Sequence, residues 1–241
     1  MLYYCFMILD QTIERHISAR LLADNKEKEG NHKSSGKLSA SRLGWPLQWQ
    51  ILHSLGIDST PIDAYTLRKF LRGSTVEDWL VSQIPGIVET QKFVEYRKTV
   101  GYVDIIVDSS VYEHKVGIIP HEVKSVTNAK FARLNGAPDD QHCLQAALYA
   151  LALKKDWFAI DYVAADDLRV RTYVVETKKF AGRVDSIIEL YQKTKKSGVV
   201  PVFEPLYSWQ KNKMYNSFPE WSELKQEEIN EKIIKTLAQN A

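Results

Sequence analysis

The spacing of apolar residues predicts helices over the first third of the chain. Three segments have this spacing: 10–25, 39–56 and 63–84. The apolar face of the first helix is predicted to consist of Ile13, Ile17, Leu21 and Leu22. Residues 26–37 are polar and lack aliphatic side chains, so they are predicted to form a mobile loop or a linker. Pro46 is expected at a break or first turn, and Pro85 is expected to end the third helix.

Alternating apolar and polar residues then predict strands. The predicted strands are 88–96, 102–108, 116–126, 158–165 and 169–176. The second and third of them are expected to pair as a hairpin. Further helices are predicted at 141–155, at about 181–196 and at about 222–237. This order of elements predicts a mixed α/β domain with helical additions at both ends.

The composition of the chain limits the classes of protein to which it can belong. The chain has 241 residues, of which 44% are hydrophobic and 26% charged, as in an ordinary soluble globular protein. The formal net charge of +2 means that any nucleic-acid surface must come from local clusters of basic residues. The two cysteines, Cys5 and Cys143, exclude a disulfide scaffold and indicate a reducing, intracellular compartment. Residues 1–10 are apolar but too short to span a membrane and lack the basic residues of a signal peptide, so they are expected to be buried.

Two neighbouring strands are predicted to bring acidic residues and a lysine together. Glu122 and Lys124 are two residues apart, so both project from one face of their strand, and Val123 between them points into the core. Asp104 lies on the preceding strand, on the side opposite to Val103, Ile105 and Val107. If the strands pair, two carboxylates can bind a divalent cation beside the lysine ammonium, which suits phosphodiester hydrolysis. An acidic residue and a lysine at this spacing are more often a solvated ion pair, and it is the neighbouring aspartate that favours a site.

The helix that follows these strands carries polar residues along one face. These residues are His142, Gln145 and Tyr149, at i, i+3 and i+7. The apolar stripe consists of Leu144, Ala147, Leu148 and Leu151. Because the stripe is expected to face the core, the polar line is predicted to face a cleft or solvent. Each polar residue alone is typical of an exposed helix face, and only the combination indicates a site.

In their order along the chain, these motifs resemble a known family. The motifs are G-x-x-x-E at 73–77, G-x-x-D at 101–104, E-V-K at 122–124 and H-x-x-Q-x-x-x-Y at 142–149. They resemble the RecB-like branch of the PD-(D/E)XK nucleases, which includes CRISPR-associated RecB-like exonucleases and many phage enzymes. The likeness extends from about residue 41 to residue 176.

The resemblance implies the fold and the organisation of the chain. The expected fold is α/β, with a restriction-endonuclease-like core whose mixed central sheet is flanked by helices. This core is expected over 61–200, within a single nuclease domain over 1–241. Residues 1–60 are expected to form a helical N-terminal region, and residues 201–241 a C-terminal loop and helix.

The resemblance also implies a role for each matched residue. The expected catalytic residues are Asp104, Glu122 and Lys124. The expected metal ligands are Glu77, Asp104, Glu122 and the backbone carbonyl of Val123, and the expected ion is Mg²⁺ or Mn²⁺. Asp78 is an alternative to Glu77, although a neighbouring helical residue points about 100° away. Gln145, Tyr149 and, as an accessory, His142 are expected to bind substrate. Whether one or two metal ions act stays open.

The expected function is a divalent-metal-dependent DNA nuclease, an exonuclease in DNA replication, recombination or repair. The expected partner is DNA, including single-stranded ends, with no membrane, in the cytoplasm of a prokaryotic or virus-infected cell. The candidate basic contacts are Arg15, Arg20, Lys33, Lys37, Arg42, Lys130, Arg133, Arg169 and Arg171. The alternative is a catalytically weak nucleic-acid-binding or assembly module on the same fold.

Two further expectations concern cysteine and aromatic residues. No iron–sulfur cluster is expected, because residues 41–49 and 209–221, where iron–sulfur relatives carry ligands, contain no cysteine. The two ends of the chain are expected to be packed together by Trp45, Trp49, Trp209, Tyr215, Phe218 and Trp221.

Overall fold

The structure, a computed structural model, describes residues 11–31, 36–56, 61–134, 136–199, 224 and 226–239. The chain divides into two compact units, one formed by residues 1–33 and 61–72 and the other by residues 34–60 and 73–241. The organisation of 1–241 as one nuclease domain therefore stays a prediction. No described helix is both long enough and apolar enough to cross a membrane.

Except for the helix at residues 128–133, which was not predicted, the described helices lie close to their predicted positions. They are α1 (Thr12–Asn31), α2 (Leu47–Ser54), α3 (Ala64–Gln83), α4 (Asn128–Arg133), α5 (Asp140–Ala152), α6 (Lys178–Ser197) and α7 (Gln226–Gln239). The predicted helix over 39–56 consists of a 3₁₀ turn at Ala40–Arg42 and of α2, which begins directly after Pro46. Proline is suited to that position because it lacks a backbone N–H to donate.

The first unit contains α1 and the first residues of α3. Arg68 of α3 donates hydrogen bonds to Glu14 and Ser18 of α1, at 2.5 and 2.8 Å. The loop predicted over 26–37 is wrong for residues 26–31, which continue α1. Lysine and glutamate favour helix without needing an apolar face, and apolar spacing alone does not detect such an extension. The predicted apolar face is also wrong, because Ile13, Ile17 and Leu22 are exposed.

The second unit contains a six-stranded mixed sheet. Its strands are β1 (Leu38–Ser39), β2 (Ile87–Tyr96), β3 (Thr99–Asp108), β4 (Ile118–Val126), β5 (Trp157–Ala164) and β6 (Val170–Glu176). The order is β1-β3-β4-β5-β6, and β2 also pairs with β3. The β3–β4 pair is antiparallel, which confirms the predicted hairpin, whereas β4 and β5 are parallel.

Two hydrophobic clusters enclose the sheet. The larger joins α5, α6 and α7 to the sheet, and Cys143 is buried in it. The smaller joins Val76 and Leu80 of α3 to Ile105, Val107, Val123 and Val163. Val123 thus points into a core, as predicted. Val103 belongs to the larger cluster, so its predicted alignment with Ile105 and Val107 is wrong. The β2–β3 ladder skips one residue pair between Val103 and Ile105, and the alternation of faces is interrupted there.

The C-terminal helix α7 packs against the larger cluster. Ile229 and Ile233 of α7 are buried in it, so the predicted C-terminal helix is confirmed and packs on the core. Trp45 and Trp49 stack with their ring centroids 4.1 Å apart. The predicted roles of Trp209, Tyr215, Phe218 and Trp221, and the predicted burial of residues 1–10, lie outside the described residues.

Candidate active site

The candidate site lies at a gap in the pairing of β3. β2 pairs with β3 along nearly its whole length. On the opposite edge, β1 pairs with Thr99 and Val100, and β4 pairs only from Ile105 onwards. Among the residues that the structure describes, no strand therefore pairs with residues 101–104 of β3 on that edge. At this gap the backbone leaves room for side chains to approach.

Asp104 closes one end of this gap. Its Oδ2 accepts a hydrogen bond from the backbone N–H of Val123 at 2.8 Å, at the level where the β3–β4 ladder stops. Burial, and then the negative charge of Glu122, raise the pKa of Asp104 to about 7. A carboxyl group whose charge is disfavoured in this way is suited to bind a cation, since a cation would stabilise the ionised form.

Glu122 and Lys124 project together from β4 and form an ion pair. Glu122 is only 2% exposed, and its Oε2 has no hydrogen-bond partner among the residues that the structure describes. Burial raises the pKa of Glu122, and the charge of Lys124 offsets part of this effect. Burial alone would lower the pKa of Lys124, but the charges of Glu122 and Asp104 outweigh it and raise that pKa. Lys124 is therefore held protonated beside two carboxyl groups.

Glu77 reaches the same site from α3. It accepts a hydrogen bond from Gln91 of β2, and burial followed by the charge of Asp104 raises its pKa. The negative charge of Asp104 raises the pKa of Glu77, and the positive charge of Lys124 partly lowers it. Asp78, the alternative to Glu77, is exposed, whereas Glu77 is half-buried. At Gly73, the glycine of the first motif, nothing would crowd an added Cβ.

Helix α5 provides a second hydrogen-bond partner for Lys124. Lys124 donates to Oε1 of Gln145 at 3.3 Å, and Nε2 of Gln145 donates to the hydroxyl of Tyr149 at 2.9 Å. Both Gln145 and Tyr149 are buried, so the predicted polar line faces the site and not solvent. The tyrosine ring fits because Gly101 has no side chain: an added Cβ would lie 2.7 Å from a ring carbon of Tyr149.

His142 stands apart from this chain of hydrogen bonds. Its Nδ1 lies 2.8 Å from the hydroxyl of Tyr162. Burial, and then the positive charges of Lys124 and Lys130, hold the pKa of His142 well below its ordinary value. His142 is therefore a neutral side chain that contacts Tyr162, without a direct bond to the residues that hold Lys124.

The fold is similar to that of solved structures. The structure is similar to an alkaline exonuclease, LHK-Exo from Laribacter hongkongensis, with a TM-score of 0.50 and 12% identity, over 73% of this chain and 91% of that chain. The fold is nuclease-like. The predicted α/β class, with a restriction-endonuclease-like mixed sheet flanked by helices, is confirmed. No protein-family model matches the sequence, and no curated protein matches it.

Two other solved structures are similar to this chain with lower TM-scores. One is a protein designated SSO0001, with a TM-score of 0.47 and 15% identity, over 84% of this chain and 94% of that chain. The other is a phage related exonuclease from Haemophilus somnus, with a TM-score of 0.46 and 12% identity, over 65% of this chain and 92% of that chain.

The donor atoms of the site fit a hard divalent cation. Mg²⁺ and Mn²⁺ prefer oxygen ligands, and Asp104, Glu122 and Glu77 supply carboxylate oxygens. The partnerless Oε2 of Glu122 is a buried acceptor that a cation would satisfy. Within the described ranges, no group of three or more His, Cys, Asp or Glu side chains is already arranged to hold a metal ion. The ammonium group of Lys124 is paired with the carboxylate of Glu122, where a metal ion would otherwise be the positive partner.

Sequence reasoning missed Gln91, which holds Glu77. Gln91 has a φ of +49°, in the left-handed region that few non-glycine residues adopt. The β2–β3 ladder pairs Thr90 with Ile105 and Lys92 with Val103, and it skips Gln91 and Asp104. Such backbone strain is concentrated at functional sites. No sequence signal identifies it, because a glutamine in an exposed strand is an ordinary residue.

A buried polar group behind β4 was also missed. Nδ1 of His121 lies 2.7 Å from Oδ2 of Asp161, whose Oδ1 accepts a hydrogen bond from Thr172 at 2.5 Å. His121 and Asp161 are both buried, and the three residues come from β4, β5 and β6. These hydrogen bonds connect the three strands. Strand alternation turns His121 away from Glu122, so they lie on the side of β4 opposite to the Glu122 side chain. The only sequence signal is a histidine next to the E-V-K motif.

Several predicted DNA contacts are engaged within the protein. Lys37 pairs with Glu95, Lys130 with Asp139 and Arg169 with Asp167. Exposed pairs of this kind are weak and can open for a phosphate. Arg171 differs, because it donates to the backbone carbonyls of Phe131 and Leu134 and lies over the Phe131 ring. Arg171 thus stabilises the end of α4, and Lys33 lies outside the described residues.

Proposed function

We propose that this protein is a divalent-metal-dependent DNA nuclease of the RecB-like branch of the PD-(D/E)XK superfamily. The observation that carries the proposal is the meeting of Asp104, Glu122 and Lys124 where the β3–β4 ladder ends. Burying two carboxyl groups and an ammonium costs folding free energy, and such a cost is typical of functional sites. Asp104, Glu122 and Lys124 lie on strands of the sheet, and a site on rigid strands supports the proposal because it keeps its geometry.

The carboxylates of Asp104, Glu122 and Glu77 and the carbonyl of Val123 would hold Mg²⁺ or Mn²⁺. A divalent ion bound there neutralises phosphate charge and lowers the pKa of water. The protein itself supplies the orientation of the carboxylates. Asp104 is fixed by the Val123 N–H and Glu77 by Gln91, so neither has to reorganise when substrate binds.

Lys124 is proposed to contact the scissile phosphate or the attacking water. Its ammonium has three N–H groups, of which one contacts Glu122 and one contacts Gln145. The third can donate to a phosphate oxygen. Tyr149 and Gln145 position Lys124 through consecutive hydrogen bonds, and we propose that this is the role of the polar line on α5.

The proposed mode is exonucleolytic, in DNA replication, recombination or repair, in the cytoplasm of a prokaryotic or virus-infected cell. The neighbour with the highest TM-score reported above is named an exonuclease, which makes end-directed cleavage the mode to test first. Circular DNA separates the two modes, because it offers no end.

The decisive experiment compares Asp104→Asn with Asp108→Asn. Asp108 is a matched control because it lies on the same strand and caps the turn after it, where asparagine can also accept the Ser110 N–H. End-labelled linear DNA and circular single-stranded DNA are incubated with Mg²⁺ or Mn²⁺. We expect the unaltered protein and Asp108→Asn to degrade linear DNA, and Asp104→Asn to lose at least about 100-fold in rate. Equal cleavage by all three proteins would indicate a contaminant and would overturn the proposal.

The second candidate function is a nucleic-acid-binding or assembly module with little turnover. It is favoured by one observation: in the described part of the chain the acidic residues are not prearranged as a three-ligand ion site, and Lys124 pairs with Glu122. In that case, none of the proteins would cleave DNA, and calorimetric titration with Mn²⁺ would show no binding that depends on Asp104. DNA affinity would still fall steeply with added salt.

A further inference from the structure

An exposed pair of aromatic rings lies on β2 and β3. Phe93 and Tyr102 are directly opposite each other in the antiparallel ladder, and their ring centroids are 5.4 Å apart in an edge-to-face arrangement. Phe93 is 52% exposed and Tyr102 is 57% exposed. Two exposed rings on a rigid hairpin offer a flat apolar surface on which another ring can stack.

Gly101 and Val103, on either side of Tyr102, face α5 and the larger cluster, so the aromatic pair lies on the opposite face of the sheet, the face on which α3 carries Glu77. Tyr102 is two residues before Asp104 on β3, and Phe93 is two residues after Gln91, which holds Glu77. Two residues along a strand correspond to about 7 Å. This distance is close to the spacing of one nucleotide in an extended strand. A DNA strand with one phosphate at Asp104 and Glu77 would therefore bring a neighbouring base to the level of the rings.

The size of the aromatic pair favours a base over a protein partner. A whole aromatic side chain buries about 150–250 Å², so two half-exposed rings offer about 200 Å² together. A stable protein interface needs about 800 Å² from each partner. The next outward residues on β2 are the polar Gln91 and Glu95, which end the apolar surface on that strand. The surface is thus large enough for one or two nucleobases and too small for a protein.

We propose that Phe93 and Tyr102 form a stacking platform for one or two unpaired bases of the DNA strand that is cleaved. This inference rests on the proposed nuclease function and names its substrate class: single-stranded DNA, or duplex ends that have opened. Bases in a closed duplex are stacked on one another and cannot stack on the platform. The platform carries no charge, and it acts on the bases and not on the phosphates.

The test compares two oligonucleotides of equal length and charge. One is a deoxythymidine 12-mer, and the other has the same backbone with abasic residues. Binding is measured by fluorescence anisotropy in EDTA, so that no cleavage occurs. We expect Phe93→Ala and Tyr102→Ala each to raise the Kd for the thymidine 12-mer about 5- to 100-fold, since stacking contributes this much per base. The Kd for the abasic strand should stay within about twofold.

Matched variants separate stacking from other effects. Val88→Ala removes an exposed aliphatic side chain from the same strand and should leave both Kd values unchanged. Tyr102→Phe keeps the ring and should bind like the unaltered protein. An equal loss of affinity for both oligonucleotides, or no loss for either, would overturn the platform. Exposed substitutions on a strand rarely prevent folding, and circular dichroism verifies this for each variant.

Failure of the platform is distinguishable from failure of the nuclease proposal. If Asp104→Asn abolishes cleavage but Phe93→Ala and Tyr102→Ala bind thymidine strands normally, only the platform is wrong. If Asp104→Asn cleaves like the unaltered protein, the nuclease site is wrong, whatever the two aromatic variants do. If the unaltered protein neither cleaves DNA with Mg²⁺ or Mn²⁺ nor binds it, both proposals are wrong.

Discussion

Asp104 carries its carboxyl group in surroundings that disfavour the negative charge. Burial is the larger cause, and the nearby Glu122 is the second. The Val123 N–H and the Lys124 ammonium only partly offset these effects. The residue therefore destabilises the ion-free protein at neutral pH, and this cost is the physical reason to assign it a function.

This cost predicts how stability depends on pH. The pKa of Asp104 is about 7 in the folded protein, against an ordinary value of 3.8. Between these values the folded state holds a proton that the unfolded state has released, so ionisation removes stability as pH rises from about 4 to about 7. At about 1.4 kcal/mol for each pH unit, the upper limit is about 4 kcal/mol. Asp104→Asn should therefore be more stable than the unaltered protein at pH 8 and nearly equal to it at pH 4.

Urea unfolding in EDTA measures the difference in the free energy of unfolding between Asp104→Asn and the unaltered protein. Asp108→Asn is the control, and we expect it to be no more stable than the unaltered protein at pH 8. Glu122 also has a raised pKa in the unaltered protein, and its charge acts on Asp104, so the difference between the two curves reports on Asp104 together with this interaction. If Asp104→Asn were the less stable protein at pH 8, the ionised carboxylate would be a net stabilising group through its bond to Val123.

The individual site residues differ in how far the sequence could predict them. Strand alternation alone placed Glu122 and Lys124 together, because a period of two is a strong geometric constraint. Gln91 could not be predicted in this way. Its contact with Glu77 depends on a left-handed backbone at a skipped ladder position, and a glutamine side chain gives no preference for that conformation.

At the scale of elements, α5 and β3 are in unusually close contact. α5 packs against the gap in the edge of β3, where the Tyr149 ring lies over Gly101. The sequence predicted the helix and its two faces correctly. It could not show that the polar face is buried, because burial depends on how closely a distant strand approaches, and that approach depends on a single missing side chain.

The contact between α5 and β3 predicts the effect of Gly101→Ala. The added Cβ would lie 2.7 Å from Tyr149 and 2.9 Å from the Cβ of Ala40, and both of these side chains are buried and cannot move aside easily. We expect a loss of about 1–3 kcal/mol in the free energy of unfolding. Displacement of Tyr149 should also reduce DNA cleavage, since Tyr149 positions Gln145 and Lys124.

Gly182→Ala is the matched control for this substitution. Gly182 lies inside α6, and nothing is within 4 Å of an added Cβ. Alanine favours helix over glycine, so this variant should gain about 0.5–1 kcal/mol and leave cleavage unchanged. Thermal and urea unfolding measure both variants. A stable Gly101→Ala protein with full activity would show that Tyr149 has more freedom than the packing indicates.

At the scale of the whole molecule, the second unit is held together by contacts between parts that are distant in sequence. The larger hydrophobic cluster combines residues from β1, α2, α5, α6 and α7. Apolar spacing predicts each of these elements but not their assembly, because spacing shows which face is apolar and not which surface covers it. The prediction that aromatic residues pack the two ends of the chain together therefore missed aliphatic side chains that are buried in this cluster, such as Ile229 and Ile233.

These aliphatic side chains predict that α7 is an integral part of the core. Ile233 is fully buried and its neighbour Ile234 is 47% exposed, so the pair offers a matched comparison within one helix. Ile233→Ala leaves a cavity and should cost about 2–5 kcal/mol in the free energy of unfolding, and Ile234→Ala should cost less than about 1 kcal/mol. Urea unfolding monitored by tryptophan fluorescence measures both values. Equal small effects would mean that α7 is only loosely attached, and the core would then have to be stable without it.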